Sequence, residues 1–459
     1  MSAGDAGDGP PSDARPGDPD GGQNGMTVLG QTAIDLTVDN TPVTGLQDLT
    51  VGPAGNIYLT GSFSAATFNG ENLTSAGMTD AYVASVDSDL QHRWLRPFGD
   101  KNTSLGVRLF WRDALYLLGT FQGTIDDPQA MATSQGGDDH LLLAMDSDGQ
   151  VTNWRAFGST GDDDFGRGLF VDSTRHVYLG GSCTDAFSYG GPTLTGDGSR
   201  DPCLAHLDQD MEHVYSARLL GPGTDTVRGI ALFPDGSVLI VGYFQQTLTI
   251  ESTLHTSAGG ADLFVMRVKP DGVVEWSVTL GGNRDEIPEH VLVDDDGNMY
   301  IAISTLSDSL DLNGETIVLD TADGGNDALI IAADGWGNLH WSQLLTGPGV
   351  QLIEDIALRS DGTIGFVGGY EGAAQLGGSP LTPSRGDSDG LVGVIDRWGN
   401  IQWVRTAGSA GFDSFMAVAD HPDGDLVVGG VVSGSIDLGA GPVASDGSNQ
   451  LVVARLGTP

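Results

Sequence analysis

From residue 26 onward the chain is a succession of short apolar runs, four to eight residues long, each closed by a turn of Gly, Asp, Pro or Asn. Such runs, rich in Val, Ile, Leu and aromatic residues, predict β-strands joined by tight turns. Nowhere do apolar residues hold positions i, i+3, i+4 and i+7 long enough to predict a helix. The stretch from Thr224 to Gly282 shows the unit. RGIAL (228–232) leads to a turn at Pro234-Asp235-Gly236, and SVLIVGYF (237–244) is a second strand. After a polar excursion, Gly259-Gly260-Ala261-Asp262 opens a third strand, DLFVMRV (262–268). Lys269-Pro270-Asp271-Gly272 then turns the chain into a fourth, VVEWSVTL (273–280). Four antiparallel strands in series make one propeller blade.

The unit recurs. A glycine stands three residues before an acidic or amide residue at Gly77/Asp80, Gly136/Asp139, Gly198/Asp201, Gly259/Asp262, Gly324/Asp327, Gly386/Asp389 and Gly447/Gln450, a step of roughly 60 residues. A long fixed period implies a solenoid, a propeller or an array. The fourth-strand aromatic recurs at Trp94, Trp154, Tyr215, Trp276, Trp341 and Trp403, six times against seven glycines. The chain stops at LVVARLG (451–457), a third strand without a successor, while MTVLGQTAIDL (26–36) precedes the first full unit and puts Ile34 in the aromatic slot. The N-terminal strand is therefore expected to complete the last blade, closing a ring and removing an exposed sheet edge. The expected fold is all-β: a seven-bladed β-propeller of four-stranded antiparallel blades over residues 26–459, preceded by a disordered acidic tether at 1–25. Within it, the strand-four aromatics are expected between blades, the repeated glycines at positive φ, and Asp80 and its equivalents on local backbone amides.

The segments NIYLTGSF (56–63), SAGMTDAYVASVD (75–87) and GGNDALIIAAD (324–334) resemble the bacterial seven-bladed β-propeller repeats (SBBP-type) of secreted and cell-surface proteins. The resemblance spans residues 26–459 and implies the fold. It says little about activity, because the matching motifs are turns and packing residues. Lys269, Gln450 and Ile303 depart from the repeat pattern. The D-x-x-G-x-x-x-W turns are also similar to the tryptophan-docking motifs of quinoprotein propellers, without the vicinal cysteine pair of that group.

Charge narrows the partners. The formal net charge is −42, and lysine occurs only at Lys101 and Lys269. Nucleic acid needs a basic footprint and is excluded as an expected partner. No run of about 18 apolar residues predicts a membrane span. A monomer recognising a protein or carbohydrate ligand is expected, with calcium as the candidate cation.

No short histidine metal spacing, nucleophile elbow, P-loop or dinucleotide fingerprint occurs. Cys183 and Cys203 fall on the two strands of one hairpin and predict a disulfide, which points to an extracytoplasmic site, secreted or lipid-anchored behind a leader. The loops entering the first strands bring Asp164, Asp225, Glu286 and Asp413 toward one mouth of the channel, an oxygen-rich face suited to calcium. The leading expectation is a non-catalytic binding or scaffold propeller that recognises its ligand through that acidic face. The alternative is a lyase or hydrolase at the channel mouth, which needs unrepeated polar residues there, such as Arg167, Arg228 and His290.

Overall fold

The structure is a computed structural model that describes residues 27–37, 45–68, 70–161, 166–196, 199–312, 315–319, 325–439, 441–443 and 450–457. The tether at 1–25, Asp164, Gly198, Gly324 and Gly447 lie outside the described residues. All regular structure among the described residues is β, and no helix is long and apolar enough to cross a membrane.

Seven four-stranded antiparallel sheets form the blades of a propeller. In blade 1 the order from the axis outward is Asp48–Val51, Ile57–Phe63, Asp80–Val86 and His92–Phe98. The inner strands of blades 2 to 7 are Ser104–Trp111, Gly168–Val171, Thr226–Leu232, Glu286–Val293, Gln351–Leu358 and Asp413–Asp420. Each inner strand packs against the next around the ring, including that of blade 7 against that of blade 1. The second and third strands are almost wholly buried, which explains their continuous apolar runs: both faces of each blade are covered by neighbours.

The ring closes as the split repeat predicts. Thr27–Thr37 pairs antiparallel with Gln450–Gly457, from Thr27 opposite Gly457 to Ile34 opposite Leu451. One detail is corrected. Trp94 stands opposite Ser85, and the matching place in blade 7, opposite Arg455, is Gly30 and not Ile34. The packing is inverted there. Gly149, Gly272 and Gly399 of the following blade's turn lie on Trp94, Tyr215 and Trp341, whereas Leu90 of the blade 1 turn lies on Gly30.

A second correction concerns the repeated glycines. Gly77, Gly136, Gly259 and Gly386 are not among the positive-φ residues; the turn glycines Gly149, Gly236, Gly272 and Gly399 are. The repeated glycines are instead dictated by close approach. A Cβ on Gly259 would lie 2.4 Å from the backbone carbon of Asn283, and one on Gly386 2.3 Å from that of Ala410. The loop entering the next blade leaves no room for a side chain.

The other structural expectations hold. Asp80, Asp139, Asp262 and Asp389 accept from the amides of Ala76, Gln135, Ala258 and Arg385 at 2.8–3.1 Å. Trp94, Trp276 and Trp341 donate their indole N–H to Ser147, Gly335 and Arg397 carbonyls in the next blade at 2.9–3.1 Å. Cys183 and Cys203 form a disulfide with Cα atoms 5.9 Å apart, diagonal across their hairpin because Cys183 stands opposite Asp201. The polar excursions of blades 1, 5 and 6 become hairpins laid on the outer strand of the preceding blade.

Candidate functional site at the propeller axis

In five blades the inner strand pairs for two or three residues and then bulges. Pairing with the second strand steps past Val107, Arg228, Glu289, Glu354 and Met416. Gln47 and Arg167 hold the equivalent places, just before the first paired residues Asp48 and Gly168. A bulge re-aims a side chain out of the sheet. Here contacts that skip blades show that the side chains meet across the channel. Arg167 of blade 3 donates to Gln47 of blade 1 at 3.3 Å and lies 3.7 Å from Glu289 of blade 5. Arg228 of blade 4 donates to Glu289 at 2.7 Å and to the Pro288 carbonyl at 3.2 Å. The axis is thus crossed by charged groups. Two adjacent blades supply arginines and the next two supply glutamates.

The next residue along adds a second layer of ionisable side chains in four blades, Asp48, Arg108, His290 and Asp355. Asp48 accepts from its neighbour Leu49 and, across the blade gap, from Leu109 at 2.7 Å, with Arg108 at 3.5 Å. Asp355 repeats that arrangement between blades 6 and 7, accepting from Ile356 and from Val418 at 2.8 Å, with His290 Nδ1 in hydrogen-bond contact. These two aspartates are inter-blade staples. Through them, one arginine and one imidazole are held at fixed orientation.

Glu354 is different. Among the described residues no hydrogen bond or ion pair joins its carboxylate, although it lies in the ring with Glu289, Arg167 and Arg228. Burial, then the charge of Glu289, raise it to about 7 against the pull of the two arginines. Asp48 is raised to about 6, chiefly by burial. Arg167 is lowered to about 10 by burial and by Arg228. Its side chain nevertheless keeps 27% exposure, so the channel at this level is reached by water. An unpaired carboxyl titrating near neutrality beside fixed cations suits acid–base work or anion recognition.

The residues expected at the mouth lie three positions upstream and are used differently. Asp225 and Glu286 are fully buried and Asp413 nearly so. Asp225 accepts from the Gln245 amide at 2.8 Å. Glu286 accepts from the Gly282 amide at 2.8 Å and the Thr305 hydroxyl at 3.0 Å, and burial raises it to about 7. Asp413 accepts from Ser433 at 2.9 Å and from the Ser409 hydroxyl at 2.8 Å. Arg167, Arg228 and His290, by contrast, do converge on the axis. Sequence reasoning missed Glu289, Glu354 and Asp355, although the repeat spacing of 61 to 65 residues from Arg228 through Glu289 to Glu354 carries them. A separate group, His421, Asp423 and Asp425, brings three metal-capable atoms within 4.8 Å. Arg455 already occupies it, 2.6 Å from both carboxylates.

No protein-family model matches the chain, and no curated protein is similar to it. Solved structures align with most of it. A protein of unknown function from Dyadobacter fermentans is 9% identical over 95% of this chain and 100% of its own, with a TM-score of 0.44. A europium-containing methanol dehydrogenase is 10% identical over 94% and 93%, with a TM-score of 0.39. The Synechocystis apocarotenoid oxygenase is 10% identical over 94% and 92%, with a TM-score of 0.41.

Proposed function

We propose that the chain is an extracytoplasmic SBBP-type binding propeller whose ligand seats at the axis and is a small hydroxylated organic anion. The observation that carries this is the break in repetition. The acidic or amide start of strand three and the apolar run of strand two recur in all seven blades, and the strand-four aromatic in six, while the bulge ring reads Gln, Val, Arg, Arg, Glu, Glu, Met. Ring closure alone needs no such set. Arg167 and Arg228 supply the cationic side. Gln47 and Glu354 supply hydrogen-bonding groups opposite. The disulfide supports the extracytoplasmic part, because such bonds persist in oxidising compartments. The test is a melting-midpoint screen of hydroxy acids and sugar acids against the protein and its Arg228→Ala and Glu354→Gln variants. At least one compound should raise the midpoint of the parent and not of the variants. Equal shifts in all three, or none in the parent, defeat the reading.

Glu354 favours a second reading at the same place: acid–base elimination or hydrolysis of the bound anion, with His290 oriented by Asp355. Turnover of a screened ligand with a pH profile that flattens in Glu354→Gln would establish it.

Cation stabilisation is a subsidiary proposal for the strand-start carboxylates Asp225, Glu286 and Asp413, with Asp164 as a fourth. A buried carboxylate that has lost its hydration gains from a hard cation. Melting with and without a chelator decides it, and an unchanged midpoint removes calcium from the account.

A further inference from the structure

The end of the ring opposite the strand-one loops carries the turns between strands one and two and between strands three and four. In the latter turns an Asp at the first position accepts from the amide of the third residue. That bond joins Asp87 to Asp89, Asp146 to Asp148, Asp208 to Asp210, Asp334 to Trp336 and Asp396 to Trp398, at 2.8–3.0 Å. Blade 4 has Asp271 at the third position. The backbone frame is the same where the third residue is Asp, in blades 1 to 4, and where it is Trp, in blades 5 and 6, because in all six turns the fourth residue's amide donates to the first residue's carbonyl. Trp336 and Trp398 are 62% and 70% exposed. They are not the repeat's packing tryptophans, which are half-buried between blades. Two neighbouring blades have exchanged a solvated turn carboxylate for a large ring held in water. Large exposed apolar groups clustered on one side mark a binding surface.

The surroundings fix what would bind. Trp336 borders a groove of about 360 Å³ between the turns of blades 4 and 5. The Arg267 guanidinium holds one side of the groove, 4.2 Å from the Phe233 ring centre and 5.4 Å from that of Trp336, and pairs with Asp235 at 2.5 Å. Arg397 lies 5.3 Å from the Trp398 ring centre and 3.3 Å from Asp296, which joins the second tryptophan to the groove wall. Among the described residues neither indole N–H has an acceptor, and no hydrogen bond engages the Asp295 side chain. Flat apolar faces with free N–H donors and carboxylate acceptors beside them match sugar rings, whose C–H faces stack and whose hydroxyls both donate and accept. The net charge of −42 disfavours an anionic polymer. We propose that this face binds a neutral polysaccharide, its sugar rings stacked on Trp336 and Trp398.

Electrophoresis of the full chain through gels containing hydroxyethylcellulose, glucomannan, xylan or laminarin tests this. At least one neutral polymer should retard the parent. Trp336→Ala and Trp398→Ala should each weaken retardation about fivefold or more, and the double variant should abolish it with an unchanged melting midpoint. Arg228→Ala, which alters the axis, should be retarded like the parent, so failure of the axial proposal would leave this one standing. No retardation in any gel, or equal retardation of the double variant, overturns it. So does retardation by poly-lysine alone, which would make the face a docking site for a basic peptide.

Discussion

At the residue scale, one backbone plan assigns contrasting roles to like residues. Asp48 and Asp355 spend their carboxylates on backbone amides of the next blade, while Glu354, one residue before Asp355, makes no hydrogen bond or ion pair among the described residues. A carboxyl raised in the folded state favours the protonated native form. Its contribution is complete below the ordinary carboxylate value and is lost as pH climbs through the raised one. Glu354→Gln removes that loss. Its melting midpoint should exceed the parent's by about 2 °C at pH 8 and match it near pH 4, a shift of the size expected for roughly 1 kcal/mol. A midpoint difference that does not change with pH would contradict the assignment. The tight glycines give a second prediction at this scale. Gly386→Ala forces a Cβ to 2.3 Å from backbone that cannot swing aside, so it should cost about 1–3 kcal/mol in denaturant unfolding. A neutral result would return that glycine to a purely conformational role.

At the element scale, the blade is a hairpin pair whose outer strand is pinned from outside. The indole bonds from Trp94, Trp276 and Trp341 reach the following blade, and the inserted hairpins of blades 1, 5 and 6 cover the preceding one. Blade 3 substitutes other ties. Its outer strand carries Tyr215 in the aromatic slot and Arg218, buried against Asp201 at 2.7 Å, and its hairpin carries the disulfide. Replacing Cys183 and Cys203 together by alanine should cost about 3 kcal/mol, the usual value for a loop of about 20 residues. Hydrogen exchange should show the loss concentrated in blade 3. Uniform loosening of all blades would mean that blades do not open separately.

At the scale of the whole molecule, closure depends on the strand Thr27–Thr37, whose residues from Thr27 to Ile34 pair with the C-terminal strand. Deleting residues through 37 should leave an open edge on blade 7, with aggregation and loss of a cooperative transition. Deleting residues through 25 should change neither. The charge acts globally too. Asp48, Asp262, Glu286 and Glu354 are all raised, to between about 6 and 7, by burial first of all. Half-buried His206 and His255 and buried His421 are lowered, by desolvation first, and act in the opposite sense below their ordinary value. With four strongly raised carboxyls in a chain of net charge −42, stability should peak on the acid side of neutrality and fall toward pH 8. A midpoint that rises steadily from pH 5 to pH 8 would count against this balance.

Repetition is what made the fold legible in the chain. The period, the strand pattern and the split last blade follow from local patterns copied about seven times, and copying averages out the noise of any one segment. Aligning the copies also put Cys183 and Cys203 on one hairpin and Arg167, Arg228 and His290 at one end of their inner strands. Where a property is not copied, the chain alone was a poor guide. Gly30 took the aromatic slot because the N-terminal strand pairs with the C-terminal one four residues out of step with the spacing counted along the chain, which only strand pairing reveals. The repeated glycines look alike whether they relieve torsion or make room for a neighbour, and the neighbour is about 25 residues away in the chain. Strand-start carboxylates read as a mouth, yet burial turned three of them inward, since a carboxylate finds its amides only once the loops are packed. The axial ring joins blades 1, 3, 4 and 5 over as many as 242 positions of sequence, from Gln47 to Glu289. Closing the circle put those side chains face to face, and no local pattern encodes who meets whom across it.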